Sequence, residues 1–194
     1  MKYEWRHSMG ERTAIFFADG FEDCEGLITV DMFRRAGLRI DTISMNAEKE
    51  VHTSHGVTLF ADTTFSGIDA SDYDVLILPG GKKGVANLEA SEPLKAAYRK
   101  HYEAGKLSGA ICAAPSILGH MGLLRGKTYT CFSSFNAEYG GTYSEELAVT
   151  DGNLVTGRGM GATIEFARQL LMQLIDDETL RKVEYGMQYK RKES

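Results

Sequence analysis

The 194-residue chain carries three cysteines, Cys24, Cys112 and Cys131. An odd number without metal-ligand spacing argues against both a disulfide framework and a zinc site, and free thiols in a reducing compartment fit best. Cys112 stands apart by its surroundings. Leu107-Ser108-Gly109-Ala110-Ile111-Cys112-Ala113-Ala114-Pro115 runs from strand into helix with small residues packed around the one thiol. A side chain on such a sharp turn is held above the sheet edge, and small neighbours let the backbone pass beneath it, as in a nucleophile elbow. A helix N-terminus just behind the sulfur favours the thiolate, so the pattern predicts a lowered thiol pKa. A buried, inert cysteine satisfies the same pattern equally well, because free cysteine is among the most buried residue types.

Two further loops could do chemistry. Leu78-Pro79-Gly80-Gly81 ends a buried apolar run, and glycines there let backbone N–H groups approach an anion closely; a tight turn needing positive φ explains them too. Arg158, in Gly157-Arg158-Gly159, also follows a strand and otherwise reads as an ordinary loop arginine. No P-loop or other nucleotide motif is present, which leaves no basis for kinase chemistry.

The elements that must position these residues follow from periodicity. Apolar runs predict strands over Thr13–Ala18, Leu38–Ser44, Tyr73–Leu78, Leu107–Ala110, Thr128–Cys131 and Leu154–Thr156, with a hairpin over Val51–Phe60 around His55-Gly56. Helical spacing predicts Cys24–Ala36 with Gly37 as its stop, then Pro93–Tyr102, Ala114–Met121 and Ala162–Ile175, the last with Ile164, Ala167, Leu171 and Leu174 inward. Alternating helices and strands predict a mostly parallel sheet covered on both faces, with ligands at the carboxyl ends of its strands. The charged tail from Lys182 to Ser194 reads as a partly ordered helix or a solvated end.

Composition sets outer limits. At 43 % hydrophobic residues the chain can bury one sizeable core, so a single domain is expected over residues 12–194. Residues 1–11 read as a leader or flexible segment, with no apolar stretch of the secretory kind. Acidic residues number 27 against 22 Lys and Arg, a net charge of −5 with no basic stripe, which speaks against nucleic acid as a ligand. The longest apolar runs are strand-sized, so no membrane partner is expected, and the cytoplasm is the expected location.

Four motifs, Ala18-Asp19-Gly20-Phe21-Glu22-Asp23-Cys24-Glu25, Leu78-Pro79-Gly80-Gly81, Ala110-Ile111-Cys112-Ala113-Ala114-Pro115 and Thr156-Gly157-Arg158-Gly159, together resemble the ThiJ/PfpI superfamily, in the branch of the Parkinsonism-associated protein deglycase (DJ-one). They keep the family order across nearly the whole chain. The resemblance implies a flavodoxin-like three-layer α/β sandwich, usually a homodimer, with Cys112 as the reactive thiol at the elbow and Glu25 as its acidic partner. It also implies an oxyanion hole at the Gly80-Gly81 turn, with the Gly81 and Ala113 amides as donors, and places Arg158 near the cysteine pocket or the dimer interface. A carboxyl beside a thiolate and away from water would have its pKa raised, so Glu25 could stay protonated and donate a hydrogen bond; otherwise it is a helix-start glutamate like Glu22 and Asp23.

Departures from the family pattern narrow the chemistry. Ala113 follows Cys112 where protease-like members carry histidine, which disfavours a Cys-His dyad. Cys131 replaces the branch's pocket histidine, and any role of that histidine is absent. The remaining histidines, His7, His52, His55, His101 and His120, fall outside the motifs. The resemblance implies a cofactor-free, metal-free enzyme acting on small aldehydes or glycated side chains, of the glyoxalase or deglycase kind. Alternatively, it implies an oxidative-stress sensor or redox-linked chaperone using the same cysteine. Sequence does not separate the two.

Overall fold

A computed structural model describes residues 10–189; the expected leader therefore lies, over residues 1–9, outside the described residues. The first strand, β1 (Arg12–Phe17), is buried along almost its whole length. Helix α1 (Asp23–Arg35) begins where the Glu22 carboxylate accepts the Glu25 N–H, with Asp23 and Glu25 complementing the positive end of the helix. It stops where the sequence predicts. Gly37 takes φ +77°, Leu38 N–H reaches Phe33 O and Gly37 N–H reaches Arg34 O, the two bonds of a Schellman motif.

The chain continues through β2 (Arg39–Ser44), the hairpin strands β3 (Glu50–His52) and β4 (Thr58–Phe60), β5 (Thr63–Thr64), β6 (Val75–Leu78), α2 (Lys82–Glu89), α3 (Glu92–Glu103), β7 (Leu107–Ile111) and α4 (Pro115–His120). It ends with β8 (Thr128–Tyr129), β9 (Thr142–Tyr143), β10 (Ala148–Asp151), β11 (Leu154–Gly157), α5 (Thr163–Leu171) and α6 (Asp177–Gly186). The main sheet has the order β10-β11-β7-β6-β1-β2-β5 and is parallel except for β10 against β11. One face is covered around Phe33, Phe166, Leu170 and Leu180 from α1, α5 and α6; the other around Leu88, Leu94, Tyr98, Ile117 and Leu118 from α2, α3 and α4. This is the flavodoxin-like three-layer sandwich. The chain leaves β1 toward β2 on one side and returns at β6 on the other, so the crevice at the carboxyl ends of β1 and β6 is the switch point where such sheets bind ligands.

The structure corrects several expectations. Helix α2 is not foreseen, because Gly84 interrupts it and only Val85 and Leu88 mark its inner face; the glycine is required, since a Cβ there would lie 2.6 Å from Phe21 Cα. The strand expected over Thr128–Cys131 is only β8, and it pairs with β9 outside the main sheet. Strand β10 is too polar to stand out. Helix α5 ends at Leu171 rather than Ile175; Ala167 and Leu171 are buried as expected, but Phe166 and Leu170 carry the centre while Ile164 and Leu174 pack at its margin. Arg168 joins α5 to α6, at 2.5 Å from Glu184 and 2.6 Å from Glu165. Among the described residues no helix is long and apolar enough to cross a membrane.

Candidate active site

Cys112 sits at the end of β7 with φ +64°, one of two non-glycine residues at positive φ among those described. A side chain in this region costs about 1–3 kcal/mol and persists only where its surroundings fix it. Here they do: Cys112 N–H donates to Gly157 O at 2.8 Å and Cys112 O accepts the Phe132 N–H at 2.8 Å. The elbow is thus tied to β11 on one side and to the loop after β8 on the other.

Glu25 approaches from the first turn of α1 and is fully buried. Its Oε2 accepts the Gly80 N–H at 2.8 Å. Its Oε1 is buried with no nitrogen or oxygen partner, and the carboxyl shares a hydrogen bond with the Cys112 thiol. The N–H groups of Gly81 and Ala113 point toward the sulfur. Both glycines of the Gly80-Gly81 turn are sterically obligatory. A Cβ on Gly80 would lie 2.4 Å from Glu25 Oε2 and 2.6 Å from Cys112 Cβ, and one on Gly81, at φ +92°, would lie 2.4 Å from Gly20 O. The turn therefore has two jobs: the Gly80 amide is taken by Glu25, and the Gly81 amide faces sulfur.

Burial pushes the Glu25 carboxyl up from its ordinary 4.5 to about 7, against the lowering effect of its bonds to Cys112 and Gly80. The Cys112 thiol is pushed up to about 12, first by burial and then by the Glu25 charge, with the Gly81 and Ala113 amides pulling the other way. The expectation of a lowered thiol pKa is thus corrected. Helix α4 has six residues and no side-chain cap, and its N-terminus is outweighed by burial and by a carboxylate at hydrogen-bond range. Glu25 and Cys112 form one coupled pair. When the proton rests on Glu25, the opposing charge is gone and the two amides favour sulfur as the anion.

The other expected residues lie further out. Cys131 is fully buried in the core beside Tyr129, one residue from the Phe132 amide that binds Cys112 O, and burial raises its thiol to about 11. It reads as packing. Arg158 is exposed, donates from Nη1 to Glu145 O at 2.8 Å and rims a cavity of about 420 Å³ beside the elbow. The described histidines are engaged elsewhere: His55 with Asp23 at 2.8 Å, His120 with Glu89 at 2.5 Å, His101 with Leu107 O and His52 with Thr58; His7 is outside the described residues. Sequence reasoning missed Phe132, Leu147 and Met160, which line that cavity; they sit in loops with no periodicity, and only their apolar exposure marks them.

Residues 11–173 match the DJ-1/PfpI family. The protein dj-1beta of Drosophila melanogaster is 32 % identical over 182 residues, which cover 92 % of this chain and 97 % of that one. Its crystal structure superposes with a TM-score of 0.88, covering 94 % of this chain and 100 % of that one. Deglycase TK1284 of Thermococcus kodakarensis is 29 % identical over 166 residues, 84 % of this chain and 99 % of that one. With the family's fold, an elbow cysteine at positive φ and a buried glutamate against it, this chain belongs to the DJ-1/PfpI family.

Proposed function

We propose that the protein is a cofactor-independent cysteine enzyme acting on small reactive carbonyls, converting glyoxal or methylglyoxal to the hydroxy acid or removing such groups from glycated side chains. The observation that carries this reading is the Glu25–Cys112 pair. A buried carboxyl with a pKa of about 7 hydrogen-bonded to a thiol can both accept and return a proton near neutral pH. Cys112 sulfur bonds to the aldehyde carbon, and the carbonyl π electrons move to oxygen. Glu25 returns the thiol's proton to that oxygen, giving the hemithioacetal. The Gly81 and Ala113 amides are the donors placed to hold the developing oxyanion. Ionised again, Glu25 removes the former aldehyde hydrogen as a proton, and the electron pair moves through a new C=C bond to the neighbouring carbonyl oxygen, which takes up a proton. The enediol then gives up its other hydroxyl proton as Glu25 protonates the neighbouring carbon, leaving a Cys112 thioester. Water adds to the thioester carbon and expels the thiol, releasing the hydroxy acid. The name of the Thermococcus relative agrees with this class of reaction.

The competing role, an oxidative-stress sensor or redox-linked chaperone, would use the same sulfur, with protonated Glu25 and the two amides holding a sulfinate. The partly exposed Cys112 favours it equally on access alone; the proton-transfer pair favours the enzyme. Methylglyoxal loss, measured without added thiol or metal beside a peroxide titration followed by intact mass, separates the two. Turnover abolished in Cys112→Ser supports the enzyme; no turnover in the parent, with stoichiometric oxidation of Cys112, supports the sensor. The assembly we propose is a homodimer formed through α1, where Leu27 is 43 % exposed. A monomer mass by light scattering at micromolar concentrations refutes it.

A further inference from the structure

Exposed apolar side chains scattered singly need no explanation, but several around one hollow do. Phe132, Leu147 and Met160 are 47 %, 40 % and 53 % exposed, and all three line the same cavity of about 420 Å³. Its floor is the Gly159-Met160-Gly161-Ala162 turn between β11 and α5. The cavity meets the reactive sulfur at Gly159, where a Cβ would lie 3.6 Å from the Phe132 ring and 4.0 Å from Cys112 Sγ. The absence of that Cβ leaves the thiol and the cavity contiguous. Phe132 is held at this boundary by its own N–H, which donates to Cys112 O.

We infer that this cavity is the subsite for the substituent of the aldehyde and that it selects 2-oxoaldehydes bearing an aryl or branched alkyl group over methylglyoxal, with Phe132 and Met160 as specificity-determining residues. The inference rests on the carbonyl reading above. A methyl group leaves nearly all of the hollow empty and the three side chains in water. A cavity of about 150 Å³ suffices for a benzene ring, so this one accepts a phenyl group between Phe132 and Met160. Sulfur–aromatic contact from Met160 and edge or face contact from Phe132 suit a ring better than a polar group. Gly161 supplies the control from the opposite direction: a Cβ built there meets nothing within 4 Å, so a larger side chain enters open space without backbone strain.

The test compares initial rates on phenylglyoxal and methylglyoxal for the parent, Met160→Ala, Phe132→Ala and Gly161→Leu. For the parent, kcat/KM is expected to favour phenylglyoxal about 10-fold, the usual reach of a partly buried apolar group. Each variant should lower the phenyl-to-methyl ratio, by roughly 10-fold for Gly161→Leu, with the change in KM rather than kcat. Methylglyoxal turnover without phenyl preference, or a ratio unmoved by all three variants, overturns the subsite and leaves the carbonyl reading standing. Turnover of neither aldehyde overturns the carbonyl reading itself. Calorimetric titration of Cys112→Ser with mandelate and lactate then decides the subsite separately, and equal affinity for the two overturns it.

Discussion

Replacing Glu25 by Gln keeps the side chain's shape and an oxygen for the Gly80 amide, but removes the charge that faces Cys112. A unit charge about 4 Å from sulfur, at an effective dielectric of about 20, is worth ~4 kcal/mol, or about three pKa units. At pH 8 Glu25 is mostly ionised, because its pKa is about 7. Most of that opposition therefore acts on the parent thiol, which it helps to push up to about 12. Removing it raises the thiolate fraction at pH 8 by roughly 100-fold to 1000-fold. The less basic sulfur is a poorer nucleophile, with a Brønsted slope of about 0.4–0.5, which returns about 10-fold of the gain. Alkylation of Cys112 by iodoacetamide at pH 8, followed by peptide mass, should thus run at least about 10-fold faster in Glu25→Gln. Methylglyoxal conversion should fall by roughly 100-fold, since an amide cannot shuttle protons. Thiol reactivity and turnover move in opposite directions. If alkylation instead slows in the variant, Glu25 acts on sulfur as a proton donor rather than as an opposing charge, and the electrostatic argument is refuted.

The same carboxyl links stability to pH. Its pKa is raised from 4.5 in the unfolded chain to about 7 in the fold, so its contribution is fully present below about 4.5 and is lost as pH rises through 7, roughly 3 kcal/mol in all. Urea midpoints of the parent and Glu25→Gln should diverge between pH 5 and 8 in favour of the variant; a constant difference contradicts this. Gly80→Ala places a methyl group 2.4 Å from Glu25 Oε2; the expected loss is about 1–3 kcal/mol of stability with conversion near zero, and a variant retaining more than half its turnover disproves the tight approach. Cys112→Gly, freed from strain at φ +64°, should melt above Cys112→Ala by the equivalent of about 1 kcal/mol. Equal melting temperatures would mean that the elbow stores no strain.

Much of this was legible in the residues. Gly37 stopping α1, Pro93 opening α3, and the small residues around Cys112 are local signals, and local signals survive folding. The position of Glu25 came from the motif order, and its raised pKa from burial that the pattern implied. The sign of the Cys112 shift did not come through, because it depends on how far α1 presses its carboxyl against β7 and on how short α4 is. Helix α2 was hidden by a glycine that exists for Phe21, a contact 63 positions away along the sequence. The apolar cavity was hidden for the opposite reason: Phe132, Leu147 and Met160 obey no period, and only the fold gathers them.

The two rims of the main sheet bear on how this protein meets others. On one side β5 offers two residues, and on the other β10 ends in Asp151, whose carboxylate takes the Thr128 N–H at 2.8 Å and the Lys127 ammonium at 3.0 Å. A foreign strand seeking a template finds too short a ladder on one flank and a charged, partly occupied one on the other. A sheet this rich in Val, Ile and Phe is thereby kept from growing by strand addition.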